Sequence, residues 1–214
     1  MTNLPTVNFD KYQLRTIKIS DIKAYYDIGK DDENVYFLTW TAFKSLKEAE
    51  ESLQVYLMRK YFNEPVGYAI CEHDKMIGII EFHTFSDFNK TAEVGYLLHK
   101  DYWNKGIMTS ALEKLVYIGF TFLDLHHIKI RSIKENIGSR RVIEKNDFKL
   151  ISIKKDEHYH EKTKSYHDVF TYILERNDFY GKQTKGDLWS FWWQFKRICK
   201  FRKTFKKRFR QIWV

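Results

Sequence analysis

The spacing of apolar residues switches between two periods along this chain, and the switches mark its elements. Tyr12 to Lys18 alternates apolar and polar residues and predicts a first strand. Ser20 and Asp21 are placed to cap a helix over Ile22 to Ile28. Ser45-Leu46-Lys47-Glu48 has the capping-box pattern and predicts a helix running to about Tyr61, with Leu53, Tyr56, Leu57 and Tyr61 on one face. Val66 to Glu72 and Met76 to Phe85 are strand-like runs around the short polar turn at His73, Asp74 and Lys75, which predicts a hairpin. Asp87 to Lys90 is a second turn, and Thr91 to His99 is the next strand. Leu112 to Leu123 has helical spacing. Strands are predicted at Ile128 to Ile133, Phe148 to Ile153 and Val169 to Leu174, a short helix at Asn136 to Lys145, and a charged loop at Asp156 to Lys164. The order β-α-α-β-β-β-α-β-α-β-β describes an α/β domain with an antiparallel start and a mixed sheet.

Between the strand ending near Leu98 and the following helix lies Tyr102-Trp103-Asn104-Lys105-Gly106-Ile107-Met108-Thr109. A strand, a loop bent at glycine and a helix suit an anion, because first-turn N–H groups lack intrahelical acceptors and the helix dipole adds positive charge. Gly106 permits close backbone approach, and Lys105 adds a formal charge.

Composition narrows the picture. The 214 residues are 43% hydrophobic and 17% aromatic, with only two prolines and nine glycines, which excludes a repeat or disordered chain and suits one domain plus an extension. Cys71 and Cys199 have no metal-type spacing and fit a reducing compartment, with Cys71 a buried thiol. Met1 to Asp10 lacks a secretory pattern, and no apolar run is long enough to span a bilayer, so a cytoplasmic location is expected. Residues 182–214 hold eleven Lys/Arg against the acid Asp187, a net of +10, which leaves the rest at −1 of the chain's +9.

Five segments together resemble the GNAT superfamily of acetyltransferases, in the branch of the ribosomal-protein N-terminal (RimJ/RimL-like) acetyltransferases. They are Ala92 to Tyr96, Tyr102 to Thr109, Asn136 to Lys145, Phe148, and Tyr166 to Tyr172. The Leu14-Arg15-Thr16-Ile17 start and Ile77-Gly78-Ile79-Ile80 fit the same branch, and the resemblance spans residues 13–175. It implies the acyl-CoA N-acyltransferase fold, a mixed, mostly antiparallel sheet of six to seven strands flanked by helices. It also implies acetyl-CoA as co-substrate. Trp103, Asn104, Lys105, Gly106, Ile107, Met108 and Thr109 then hold the pyrophosphate, and Leu97 and Leu98 meet the pantetheine arm. Met108 departs from the family's small residue, at little cost if the loop binds through backbone N–H groups. Asp147 stands where the family has glycine, and aspartate tolerates the left-handed conformation expected there.

Acetyl transfer to an amine needs a neutral amine, a donor to the thioester oxygen and a proton for the leaving thiolate, with no enzyme nucleophile and no metal. By resemblance Ser139 is the proton donor, and Asn136 orients it or the pantetheine. An ordinary helix-start serine bonded to nearby backbone is the competing account. Glu93 is the candidate base, with a solvated strand residue as the alternative. Glu157 and His158 are the runners-up, and His83 on the third strand is a further residue that can face the cleft. Tyr166, His167 and Asp168 are expected to shape the acceptor side, as are Trp40 and its aromatic neighbours. His126 and His127 mark the approach to the fifth strand.

The sequence thus divides into an acetyltransferase domain, 1–178, and a basic aromatic extension, 179–214. In the extension Leu188, Phe191, Phe195, Ile198, Phe205, Phe209 and Ile212 recur at helical spacing among Lys and Arg. Such a helix suits an anionic membrane surface, ribosomal RNA, or packing on its own domain or on a dimer mate. The favoured function is acetyl-CoA-dependent N-acetylation of a primary amine, preferably a protein N-terminus, by direct attack in a ternary complex. A small-molecule amine or antibiotic acetyltransferase, and a non-catalytic CoA-binding adaptor, are the alternatives. Monomer and homodimer both remain open.

Overall fold

A computed structural model describes residues 5–62, 64 and 67–182. The predicted helix in the basic extension lies outside the described residues.

The element order is β1 (Val7–Phe9), β2 (Tyr12–Thr16), α1 (Ile22–Gly29), α2 (Leu46–Met58), β3 (Tyr68–Glu72), β4 (Lys75–Ser86), β5 (Thr91–Leu98), α3 (Ile107–Thr121), β6 (His127–Ile133), α4 (Ile137–Lys145), β7 (Lys149–His160), β8 (Ser165–Glu175) and α5 (Arg176–Lys182). The strands form one eight-stranded sheet in the order β1-β2-β3-β4-β5-β6-β8-β7. Each neighbouring pair is antiparallel except β5 and β6. The expected mixed, mostly antiparallel architecture is therefore present, with one strand more than the upper count. The additional strand is β1, three residues paired Val7 to Leu14 and Phe9 to Tyr12, too short to register as a periodic run.

Two apolar layers cover the sheet. On one face α3 buries Leu112, Leu115 and Val116 against Phe82, Val94, Ile128 and Ile130. On the other, Tyr25 and Ile28 of α1 and Leu53 of α2 cover Ala69, Cys71, Ile79 and Leu97. Strand alternation assigns β5 to both: Ala92, Val94 and Leu98 face α3, while Leu97 faces α1 and α2.

Several local expectations are altered. The Ser45 hydroxyl accepts from the Glu48 N–H as a cap, but the Glu48 carboxylate accepts from the Lys44 N–H. That helix ends at Met58 and continues as a 3₁₀ turn, Arg59–Phe62, leaving Tyr61 exposed. Asp21 does not cap α1 with its side chain. It accepts the Lys18 N–H and forms a buried double hydrogen bond with Arg15 instead. α3 begins at Ile107, because Gly106 closes the loop and the helix starts at once. Asp156 to His160 is strand rather than loop. Both faces of this edge strand meet water over much of its length, so its charged residues gave no alternation to read. The Asp147 expectation holds, with φ of +63°. Burial pushes the Cys71 thiol up to about 11. No helix among the described residues is long and apolar enough to cross a membrane.

Candidate active site

β5 and β6 run parallel but stay paired only at Thr91–His127, Ala92–Ile128 and Glu93–Lys129. Beyond that point Ile130 to Ile133 pair with β8 alone, while Val94 to Leu98 keep only β4. The two edges part, and a wedge opens in the centre of the sheet. Backbone groups along such an edge need partners, so the wedge invites a ligand carrying amides of its own.

Where the edges part, the wedge leads into a cleft of about 440 Å³ bordered by β5, α3 and α4 and by residues 33–38 after α1. Its floor is Tyr96, Leu97 and Leu98 of β5, and its far end is the loop before α3. There Asn104 (φ +59°) and Gly106 (φ +75°) both adopt the left-handed conformation. A Cβ built on Gly106 meets nothing within 4 Å, so its backbone angle, not space, calls for glycine. Gly106 is the N-cap of α3 and supplies no side-chain cap. The N–H groups of Ile107, Met108 and Thr109 are thus presented without intrahelical acceptors. The Met108 side chain is buried in the core, so its departure from a small residue leaves the loop open.

The residues expected to hold the cofactor come together here. Leu97, Leu98, Trp103, Asn104, Gly106, Ile107, Met108, Thr109 and Asn136 all line the cleft. Trp103 donates its indole N–H to the Leu98 carbonyl at 2.7 Å, which pins the loop to the strand end. Lys105 differs: its Nζ donates to the Asp101 carbonyl at 2.7 Å and lies over the Tyr102 ring. The positive charge lining the cleft comes instead from Arg141 and Lys145 of α4, which lay inside the Asn136 to Lys145 motif without being assigned to the cofactor.

Asn136 caps α4, its Oδ1 accepting from the Ser139 N–H at 3.0 Å. This sets the serine on the first turn and directs it to the cleft. The Ser139 hydroxyl lies 2.8 Å from the Tyr96 hydroxyl rather than on nearby backbone. Burial pushes the Tyr96 phenol well up, and the Ser139 bond opposes that shift, so the phenol is protonated at neutral pH. Tyr96 is the functional candidate missed in the sequence. It lay inside a quoted motif, but its partner is 43 residues away.

Glu93 sits at the last β5–β6 pair, on the opposite face of the sheet from Tyr96. It does not line the cleft. His158 is also apart. It lies on β7 opposite His167 of β8, in a group with the buried His160. Burial and then those two imidazoles push its pKa down. Glu157 is held low mainly by the Lys154 hydrogen bond, with Arg131 assisting. His167 pairs with Glu135, and Asp168 with Lys134. Trp40 stacks on Phe43 at 4.7 Å, against the α1–α2 layer.

The comparisons with known proteins agree with this geometry. The acetyltransferase (GNAT) domain model matches residues 12–149. An uncharacterized N-acetyltransferase, p20, of Bacillus licheniformis is 25% identical over 181 residues, covering 83% of this chain and all of that protein. A ribosomal-protein-serine acetyltransferase of Escherichia coli K12 is 29% identical over 114 residues, covering 53% of this chain and 64% of that one. Among solved structures, RimL, a ribosomal L7/L12 alpha-N-protein acetyltransferase in complex with coenzyme A, superposes with a TM-score of 0.74. It is 23% identical and covers 81% of this chain and 98% of its own, a likeness of fold. Acetyl-CoA is the co-substrate of this family, and the cleft, with its amide-lined loop and parted strand edges, fits an elongated phosphate-bearing thioester. The chain belongs to the GNAT acetyltransferases, on the side of the RimJ/RimL-like branch, and is an N-acetyltransferase.

Proposed function

We propose that this enzyme transfers acetyl from acetyl-CoA to the N-terminal amine of a protein, by direct attack in a ternary complex. One observation carries the reading: the Tyr96–Ser139 hydroxyl pair lies in a cleft that runs from the α3 N-terminus to the parted edges of β5 and β6. Acetyl-CoA, when bound, supplies an acetyl group activated as a thioester. The N–H groups of Ile107, Met108 and Thr109 hold the pyrophosphate, with Arg141 and Lys145 adding charge from α4. Leu97 and Leu98 present backbone to the pantetheine arm. Asn136 holds Ser139 in place, and Ser139 with Tyr96 delivers a proton to the departing sulfur. The amine enters from the other face of the sheet, where Glu93 marks the vertex of the wedge.

The choice of a protein N-terminus rests on the relatives named as ribosomal-protein acetyltransferases. The deciding experiment is thiol release from acetyl-CoA with a panel of N-terminal peptides and small amines, products identified by mass spectrometry. Acetylated peptide N-termini support the reading. Turnover of small amines alone replaces it with small-molecule acetylation, and CoA binding without any turnover replaces it with a non-catalytic adaptor.

A further inference from the structure

The sheet face away from Tyr96 carries a histidine set up in an unusual way. His83 on β4 is the cross-strand partner of Glu93 on β5. Directly opposite residues in an antiparallel pair share a face, so both side chains lie on the side away from Tyr96. The ring of His83 leans toward the wedge. A Cβ built on Gly95 would stand 3.3 Å from its Nε2, so the missing side chain at Gly95 makes the room that Nε2 borders. Gly95 is two residues beyond the last β5–β6 pair, where the strand edges have begun to part.

The other ring nitrogen is fixed by a backbone distortion. The β4–β5 register shifts between His83 and Ser86, and inside that bulge Thr84 has φ of +51°. A β-branched residue in the left-handed region is a conformational outlier, and such strain gathers at working sites. Bulges re-aim side chains near active sites. Here the distortion brings the Thr84 hydroxyl to 2.8 Å from His83 Nδ1. When Nδ1–H donates to that hydroxyl oxygen, the lone pair is left on Nε2, facing Gly95 and the wedge.

We infer that His83 Nε2 is the base that takes the proton from the acceptor amine, with Thr84 as its positioning residue. The inference rests on the acetyltransferase reading above and names the base for it. As the amine nitrogen bonds to the acetyl carbon, the carbon–sulfur bond breaks. The proton lost from nitrogen goes to Nε2, and the Tyr96–Ser139 pair protonates the sulfur from the opposite face. The base and the acid therefore stand on the two sides of one opening, with the acetyl group between them. Glu93 acts beside His83 by steadying the imidazolium.

The charged groups around the ring agree with this. Burial holds the His83 pKa below its ordinary value, Glu93 on β5 raises it, and Arg59 after α2 lowers it. Arg59 is itself occupied by Glu81, the neighbour of His83 two residues earlier on β4. Tyr56 of α2 adds no charge at neutral pH, since burial pushes its phenol well up. A base depressed in this way is neutral at physiological pH and free to accept.

The test uses the full chain with acetyl-CoA and whichever peptide or amine wild type acetylates, following kcat/KM by thiol release across pH. Wild type should lose activity as pH falls through an inflection below about 6.5, the ordinary histidine value. His83→Gln should lose that inflection and fall by about 100-fold or more at pH 7.5, the usual reach of general-base loss, while its affinity for CoA stays put. Thr84→Gly, which relaxes the backbone and removes the hydroxyl, should weaken the inflection, and Thr84→Ser should restore it. A His83→Gln enzyme with the wild-type rate and inflection overturns the inference and leaves the acetyltransferase reading standing. If wild type acetylates nothing, that reading fails by itself. NMR of carbon-13-labelled histidines then decides the placement of His83. Its resonance should titrate below the ordinary value and move when acetyl-CoA is added, and a His83 signal indifferent to acetyl-CoA overturns the placement.

Discussion

The hydroxyls of Tyr96 and Ser139, 43 residues apart in sequence, meet at 2.8 Å across the floor of the cleft. One belongs to β5 and the other to the first turn of α4. In the proposed mechanism the two hydroxyls act as one proton-bearing unit. Tyr96→Phe and Ser139→Ala should each lower kcat by about 100-fold, within the range for losing an acid–base group. The double variant should fall little further, because residues that work together are not additive. Steady-state thiol release reads all three, and two fully multiplicative losses would show that the pair does not act jointly.

Gly106 offers a test of the loop that does not depend on chemistry. Its φ is +75° and its Cβ position is empty, so alanine meets strain without a clash. Gly106→Ala should cost roughly 1–2 kcal/mol in urea unfolding, the cost of a left-handed residue with a Cβ. CoA affinity measured by calorimetry should drop as well, since relaxation of the loop turns the α3 N–H groups. An alanine variant with unchanged affinity would show that the loop backbone is not the phosphate holder.

The buried Arg15–Asp21 pair bonds at 2.7 Å and 2.8 Å, with side chains only 7% and 5% exposed. Arg15 also donates to Asp74 at 2.6 Å, so one guanidinium ties β2 to the turn before α1 and to the β3–β4 turn. Asp21→Ala leaves the buried guanidinium only the exposed Asp74 and should cost up to about 3–5 kcal/mol, the cost of a fully unpaired buried charge. Arg15→Met combined with Asp21→Leu should cost less than either single change. Urea unfolding of the four proteins makes the comparison.

Acid should weaken the fold in a defined window. Hydrogen bonds from Arg15, Lys100 and Lys11 respectively hold Asp74, Asp31 and Glu72 below their ordinary values. A carboxylate depressed in the folded state contributes stability above its unfolded pKa and loses it as pH falls through the folded one. The urea midpoint should therefore begin to fall as pH drops through about 6.5, where the depressed His83 and His158 cost stability, and fall again below about pH 4, where unfolded carboxylates protonate. The carboxylates lie at the surface, so salt should blunt their effect. A midpoint that is flat down to about pH 3 would refute the assignment.

What could be read in advance was chemistry settled within a few residues. Gly106 announces its turn and Ser45 its cap, because each acts on the backbone next to it, and the family resemblance placed the left-handed bend at Asp147. The Tyr96–Ser139 bond was not legible, since it exists only after β5 and α4 have been brought to one cleft. The Asp156 to His160 stretch misled for a related reason. An edge strand wet on both faces has no buried side to imprint a period on the sequence. Lys105 carried the expected charge, but the Asp101 carbonyl four residues away had first claim on it.

The narrow junction between β5 and β6 also bears on how the molecule deforms. Three residue pairs join β1 to β5 with β6 to β8, where β4–β5 and β6–β8 are held by seven each. Shear along that line breaks the fewest hydrogen bonds in the middle of the sheet. What resists it is α3, which lies across the junction with Leu112 and Val116 in the core shared by Val94 and Ile128. Mechanically, the central helix is a splint over a weak seam.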